Sequence, residues 1–140
     1  MKNTQSSNIL LCITGSIAAY KSADLARLFK KSGYNVRILM TDSACEFITP
    51  LTMQAISGNS VHRNLLDENT EQAMGHIELA KWADTILIAP CSAETISRLS
   101  SGGANDLLGA VILATKAPIY IAPAMNMNMW SNKATQNNVE

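Results

Sequence analysis

Four apolar runs punctuate the chain, and between them apolar residues recur at helical spacing. NILLCIT (8–14) is continuous and ended by Gly15 and Ser16, the pattern of a strand buried on both faces. VRILMT (36–41), DTILIAP (84–90) and PIYIAP (118–123) repeat it, each leading into a polar or proline-containing loop. From 17 to 32 the period changes: Ala18, Leu25, Leu28 and Phe29 share a stripe, Asp24, Arg27 and Lys31 fall on another face, and Gly33 supplies the stop. Helical segments are also predicted over 43–48, 50–57, 76–83, 93–99 and 106–114, the third with an apolar stripe of Ile77, Ala80 and Ala83. Strands alternating with helices imply an α/β fold, a doubly wound parallel sheet joined by right-handed crossovers. The exception is 59–75, polar and placed where a crossover belongs; it reads as a surface excursion with a short strand around Val61. SNKATQNNVE (131–140) opens a further helix and stops, so the expectation is one domain over 1–140, cut short at its C-terminal end.

Composition narrows the function classes. A chain of 140 residues with 47% hydrophobic content is enough for one substantial core. Eleven basic residues balance eleven acidic ones, and no basic cluster exceeds Lys30 and Lys31. That argues against a nucleic-acid or anionic-membrane surface and for small, roughly neutral partners. Cys12, Cys45 and Cys91 are odd in number and lack C-x-x-C spacing, so neither a disulfide framework nor a metal site is expected, and a reducing, cytoplasmic setting fits. The polar start (1–8) and the break at Thr14-Gly15-Ser16 fit neither a signal peptide nor a membrane span.

In doubly wound sheets ligands sit beyond the carboxyl ends of the strands, which singles out four loops. In the first, Gly15 permits a tight turn, Ser16 offers a hydroxyl, and the helix beginning at Ile17 offers free N–H groups to a phosphate; a plain capped turn is the competing account. Asp42, after the second strand, stands where a dinucleotide site places its ribose-binding acid, although the full G-x-G-x-x-G is absent. After the third, Ser92 can cap a helix, and Ser92, Asn105 and Asp106 are candidate polar contacts for a ring or a ribityl chain. Cys91 has no basic sequence neighbour to activate it and is expected to pack. His76 opens the helix HIELAKWAD and is a candidate base, against the alternative of a surface histidine; for His62 the surface reading is the stronger one. In the fourth loop, PAMNMNMW, the Asn126 amide has the donors to grip a carboxylate, or it caps a helix whose methionines fill core gaps.

Together TGSIAAYK, VRILMTDSACEFITP, HIELAKWAD, APCSAETISRLSSGGANDLL and PAMNMNMW resemble the flavin-dependent cysteine decarboxylases, and within them the phosphopantothenoylcysteine decarboxylase group of coenzyme A biosynthesis. The resemblance runs from about residue 9 to 130. It implies a flavodoxin-like, Rossmann-like three-layer sandwich that binds FMN, with the phosphate near Gly15, Ser16 and Ile17 and flavin contacts from Thr41, Phe47, Ser92, Ala93, Asn105, Asp106 and Met125. His76 and Asn126 match the family's active-site residues. By the same resemblance, the reaction turns 4′-phosphopantothenoylcysteine into 4′-phosphopantetheine: FMN takes electrons from the cysteine moiety, carbon dioxide leaves, and the flavin returns its electrons. The cofactor carries the difficult chemistry and the protein supplies placement. His76 would act as base or hydrogen-bond partner, and Asn126 would hold the carboxylate. Trimers, often built into dodecamers, are implied as well, each flavin lying between protomers so that His76 could serve a neighbour's flavin. The sequence departs from the family by stopping before the cysteine-bearing flap, a final strand and helix, and the synthetase domain of bifunctional relatives. Three other readings stay open at this point: an FMN-binding regulatory subunit of the halotolerance type, a flavin prenyltransferase, and an NAD-binding domain relying on Asp42.

Overall fold

A computed structural model describes residues 7–65 and 75–140 of the chain. The four apolar runs form strands β1 (Asn8–Ile13), β2 (Asn35–Met40), β3 (Thr85–Cys91) and β4 (Ile119–Pro123), all parallel, in the order β2-β1-β3-β4. From β1 the chain winds first to β2 on one side and then to β3 on the other. The reversal of direction therefore falls between β1 and β3, and their carboxyl ends open a crevice.

The two-residue period of β1 divides the core. Leu11 and Ile13 face Val36, Ile38 and Met40 of β2, together with Ala26 of α1 (Lys21–Lys31) and Met53 of α2 (Pro50–Ser57). Leu10 and Cys12 face the opposite layer, α3 (His76–Trp82), α4 (Ala93–Ser100) and α5 (Leu107–Ala114), through Leu79, Ile96, Leu108 and Val111. All of these side chains are buried, so each central strand is apolar on both faces, as its continuous run requires. Two short helices, α6 (Met127–Ser131) and α7 (Lys133–Val139), follow β4.

Several expectations shift in detail. The segment from Ile17 begins as a 3-10 turn to Tyr20 before α1. Its buried side is Ala19, Ser22 and Ala26, and Leu28 is exposed. Small residues let the helix lie close to the sheet, where the Ser22 hydroxyl donates to the Ala89 carbonyl at 2.8 Å, and this rotation carries Leu28 outward. In α3 the buried residues are Leu79 and Ala80, with Ala83 just beyond, while Ile77 faces solvent. The expected helix over 43–48 is only a 3-10 turn at Ala44–Glu46. The methionines of α6 fill no core gap, since Met127 and Met129 are exposed. In the polar excursion, the short strand reduces to one parallel bridge between His62 and Leu39. Positions 66–74 of that excursion lie outside the described residues.

Candidate functional site

Thr14 closes the crevice between β1 and β3. Its hydroxyl donates to the Pro90 carbonyl at 2.7 Å and accepts from the Ser92 N–H at 3.0 Å, while its own N–H reaches the same carbonyl. Pro90 has no N–H for a ladder, and the pairing of β3 with β4 changes register between Ile88 and Cys91. One buried hydroxyl thus ties the end of β1 to the end of β3, on the side away from the shifted β3–β4 pairing.

The loops on this edge are shaped around one cavity of about 840 Å³, a size usual for small-molecule sites. Gly15 is required because a Cβ there would lie 2.5 Å from the Ser43 Cβ, so the first and second loops touch. Ser16 accepts from the Ala18 N–H at 3.1 Å, and the first helical bond runs from Ala19 to the Ser16 carbonyl, which leaves the Ile17 N–H outside the helix ladder. The Thr41 hydroxyl accepts from the Ala44 N–H and fixes the second loop. Ser92 caps α4 by accepting from the Thr95 N–H, and Asp106 caps α5 by accepting from the Gly109 N–H at 2.9 Å. Gly15, Ser16, Thr41, Ser92, Ala93, Asn105, Asp106 and Met125 all line the cavity. Ile17 and Phe47 do not; they are exposed on the surface of this chain.

His76 and Asn126 are absent from the cavity lining as well. His76 begins a helix that leads down into β3, so it sits on the carboxyl edge of the sheet, half-buried. Asn126 follows Met125 directly and is exposed; its Oδ1 accepts from the Asn128 N–H at 2.7 Å and caps α6, which leaves the Nδ2 donors for a ligand.

Charge on the cavity wall was harder to foresee. Asp42 stands there, exposed, in a loose 3.7 Å pair with Arg63, and Arg98 is bound to Asp106 at 2.6 Å and Glu94 at 3.0 Å. Burial works against the Arg98 charge, but Asp106 and Glu94 outweigh it and hold the guanidinium protonated. The pair of Arg98 with Glu94 is readable as an i,i+4 spacing; the Asp106 contact across a loop carries no such signal, nor does the role of Thr14. Burial pushes the Cys91 thiol up to about 12 and raises Cys12 further still, which leaves both as packing groups. Among the described residues no cluster suits a metal ion.

A family model for flavoproteins matches residues 1–140. The chain belongs to the Flavoprotein family. Among its relatives, the coenzyme A biosynthesis bifunctional protein CoaBC of Haemophilus influenzae is 58% identical over 132 residues, covering 94% of this chain and 33% of that protein. The chain thus spans about a third of the length of such relatives. Two solved structures share the fold: the FMN-dependent cysteine decarboxylase SpaF, with a TM-score of 0.87, 29% identity and coverage of 95% of this chain and 77% of that one, and a PPC decarboxylase variant complexed with pantothenoylaminoethenethiol, with 0.81, 33%, 96% and 76%. The four-stranded parallel sheet flanked by helices is this flavodoxin-like fold.

Proposed function

We propose that this flavoprotein domain binds FMN in the crevice between β1 and β3 and decarboxylates 4′-phosphopantothenoylcysteine to 4′-phosphopantetheine, a step of coenzyme A biosynthesis in the cytoplasm. The observation that carries the reading is the cavity itself: it stands at the switch point of a sheet shared with PPC decarboxylase, and its wall gathers a glycine pinned against Ser43 and the polar groups of Ser16, Thr41, Ser92, Asn105 and Asp106. These residues fit the cofactor. The turn at Gly15, Ser16 and Ile17 offers backbone N–H groups to a phosphate, and the other side chains, with Met125, offer hydrogen bonds and apolar surface to a ring and its ribityl chain. When bound, FMN supplies two-electron chemistry at the substrate's cysteine carbon and sulfur.

The remaining work falls to the chain's own side chains. The Nδ2 of Asn126, without a partner among the described residues, donates to the substrate carboxylate and orients it, and His76 accepts a proton or a hydrogen bond from the substrate. His76 stands on the ligand edge yet outside the cavity lining, and Ile17, Tyr20 and Phe47 are exposed apolar residues. Both features suit a homotrimer, alone or built into a dodecamer, in which His76 serves the flavin of a neighbour. No described helix is long and apolar enough to cross a membrane.

The purified protein should show flavin absorption bands and release carbon dioxide from 4′-phosphopantothenoylcysteine. Bound flavin without carbon dioxide would leave a binding module and reject the decarboxylase; no flavin at all would reject the site.

A further inference from the structure

We infer that Arg98 is a positioning residue of the cavity: acting through Asp106, it holds the loop that brings Asn105 back to the ligand edge. Its purpose depends on the FMN reading above; its action depends on geometry alone.

The loop between α4 and α5 must reverse direction in a few residues. Ser101-Gly102-Gly103-Ala104 is conformationally permissive, and Gly102 takes a positive φ of 77°. Such a segment has little order of its own, and Arg98 supplies it twice. The Arg98 carbonyl accepts from the Gly103 N–H at 3.0 Å, and the guanidinium Nη1 donates to Asp106 Oδ2 at 2.6 Å while Nε donates to Glu94 Oε1 at 3.0 Å. The Arg98 side chain is 20% exposed and that of Asp106 37%, so this pair is better shielded than an ordinary surface bridge, whereas Glu94 at 73% adds mainly orientation.

Asp106 is the hinge of the arrangement. One of its oxygens caps α5 through the Gly109 N–H and the other binds Arg98, so the start of α5 is tied to the last turn of α4. The loop lies directly on the first turn of α5: a Cβ on Gly109 would come within 2.1 Å of the Gly103 carbonyl oxygen. Asn105 lies between these two anchors, Gly103 and Asp106, one residue from the second. Arg98 also neutralises a carboxylate on the wall of a cavity assigned to an anionic cofactor.

Four variants and two measurements test this. Arg98→Met removes the fork, Asp106→Asn keeps the helix cap but removes the charge, and the double variant removes both. In flavin-free protein, hydrogen exchange at residues 101–109 should rise about tenfold in Arg98→Met, and in the double variant no more than in the single one. The FMN dissociation constant of Arg98→Met should rise about tenfold, with the double variant well below the product of the two single effects. Arg98→Lys, which keeps the charge without the fork, should fall between wild type and Arg98→Met in both measurements. Unchanged exchange in Arg98→Met, or effects of Arg98 and Asp106 on FMN that simply multiply, would overturn the assignment. Should wild-type protein bind no FMN, the cofactor reading falls, and the exchange measurement alone still decides whether Arg98 holds the loop.

Discussion

At the junction of β1 and β3 the strand ends are buried and cross-tied, with Thr14 fully enclosed between Pro90 and Ser92. β4, by contrast, is exposed along its whole length from Ile119 to Pro123, and beyond its carboxyl end Asn126, the N-cap of the five-residue α6, stands on the surface with Met127 and Trp130. The first region has the rigidity to hold a cofactor in one place, because its polar groups are already satisfied by one another and its backbones touch at Gly15. In the second, the Asn126 amide has no donor partner among the described residues and His76 lies outside the cavity lining. Binding and chemistry are assigned to different residues of neighbouring loops on one edge, so it should be possible to damage them separately.

The largest effect separates them outright. Asn126→Asp and His76→Asn should each lower the rate of carbon dioxide release by about 100-fold or more while flavin absorbance and stability are retained. Loss of bound FMN in either variant would place that residue with the cofactor instead. Next comes the closed region. Gly15→Ala puts a methyl group into Ser43, and the loops must part to admit it. FMN affinity, read by flavin fluorescence titration, should fall about tenfold or more, with about 1–3 kcal/mol lost from stability. Thr14→Val preserves shape but strands the part-buried Ser92 N–H without its acceptor. Urea unfolding should show a loss of about 2 kcal/mol, and a change within error would mean that the tie between β1 and β3 is not needed.

Legibility in the sequence follows the same divide. The closed region is readable because burial on both faces leaves continuous apolar runs, and Pro50 with Thr49 before it and Gly58 after it marks α2 at both ends. What escaped detection was contact between distant residues. Leu28 looks like a core residue until Ser22 bonds to Ala89 and rolls the helix. Thr14 looks like the tail of a strand, and Arg98 like one charge on a solvated helix face, until the fold places Pro90 and Asp106 beside them. His76 and Asn126 are candidates from their places along the chain, each against a plain alternative, and only the family resemblance favours the functional role, because no packing pattern in a lone sequence decides between the two.

The smallest effect concerns His62, whose surface reading the fold overturns. Its backbone bridges β2, donating to the Ile38 carbonyl and accepting from the Met40 N–H, and its side chain is buried, with Nε2 unpartnered among the described residues. Burial, and secondarily the charge of Arg37, hold its pKa below the ordinary histidine value of 6.5. The unfolded chain, with its histidine near that value, therefore takes up a proton at higher pH than the folded one does. Stability is fully present above about 6.5 and declines as pH falls from there toward the depressed folded pKa, below which this contribution changes no further. Replacing His62 by Phe removes the titration, so the difference in unfolding free energy between variant and wild type should move in the variant's favour between pH 7 and pH 5. A difference that stays flat across that range would mean His62 is protonated as readily folded as unfolded, and that the bridge to β2 leaves its ring in water.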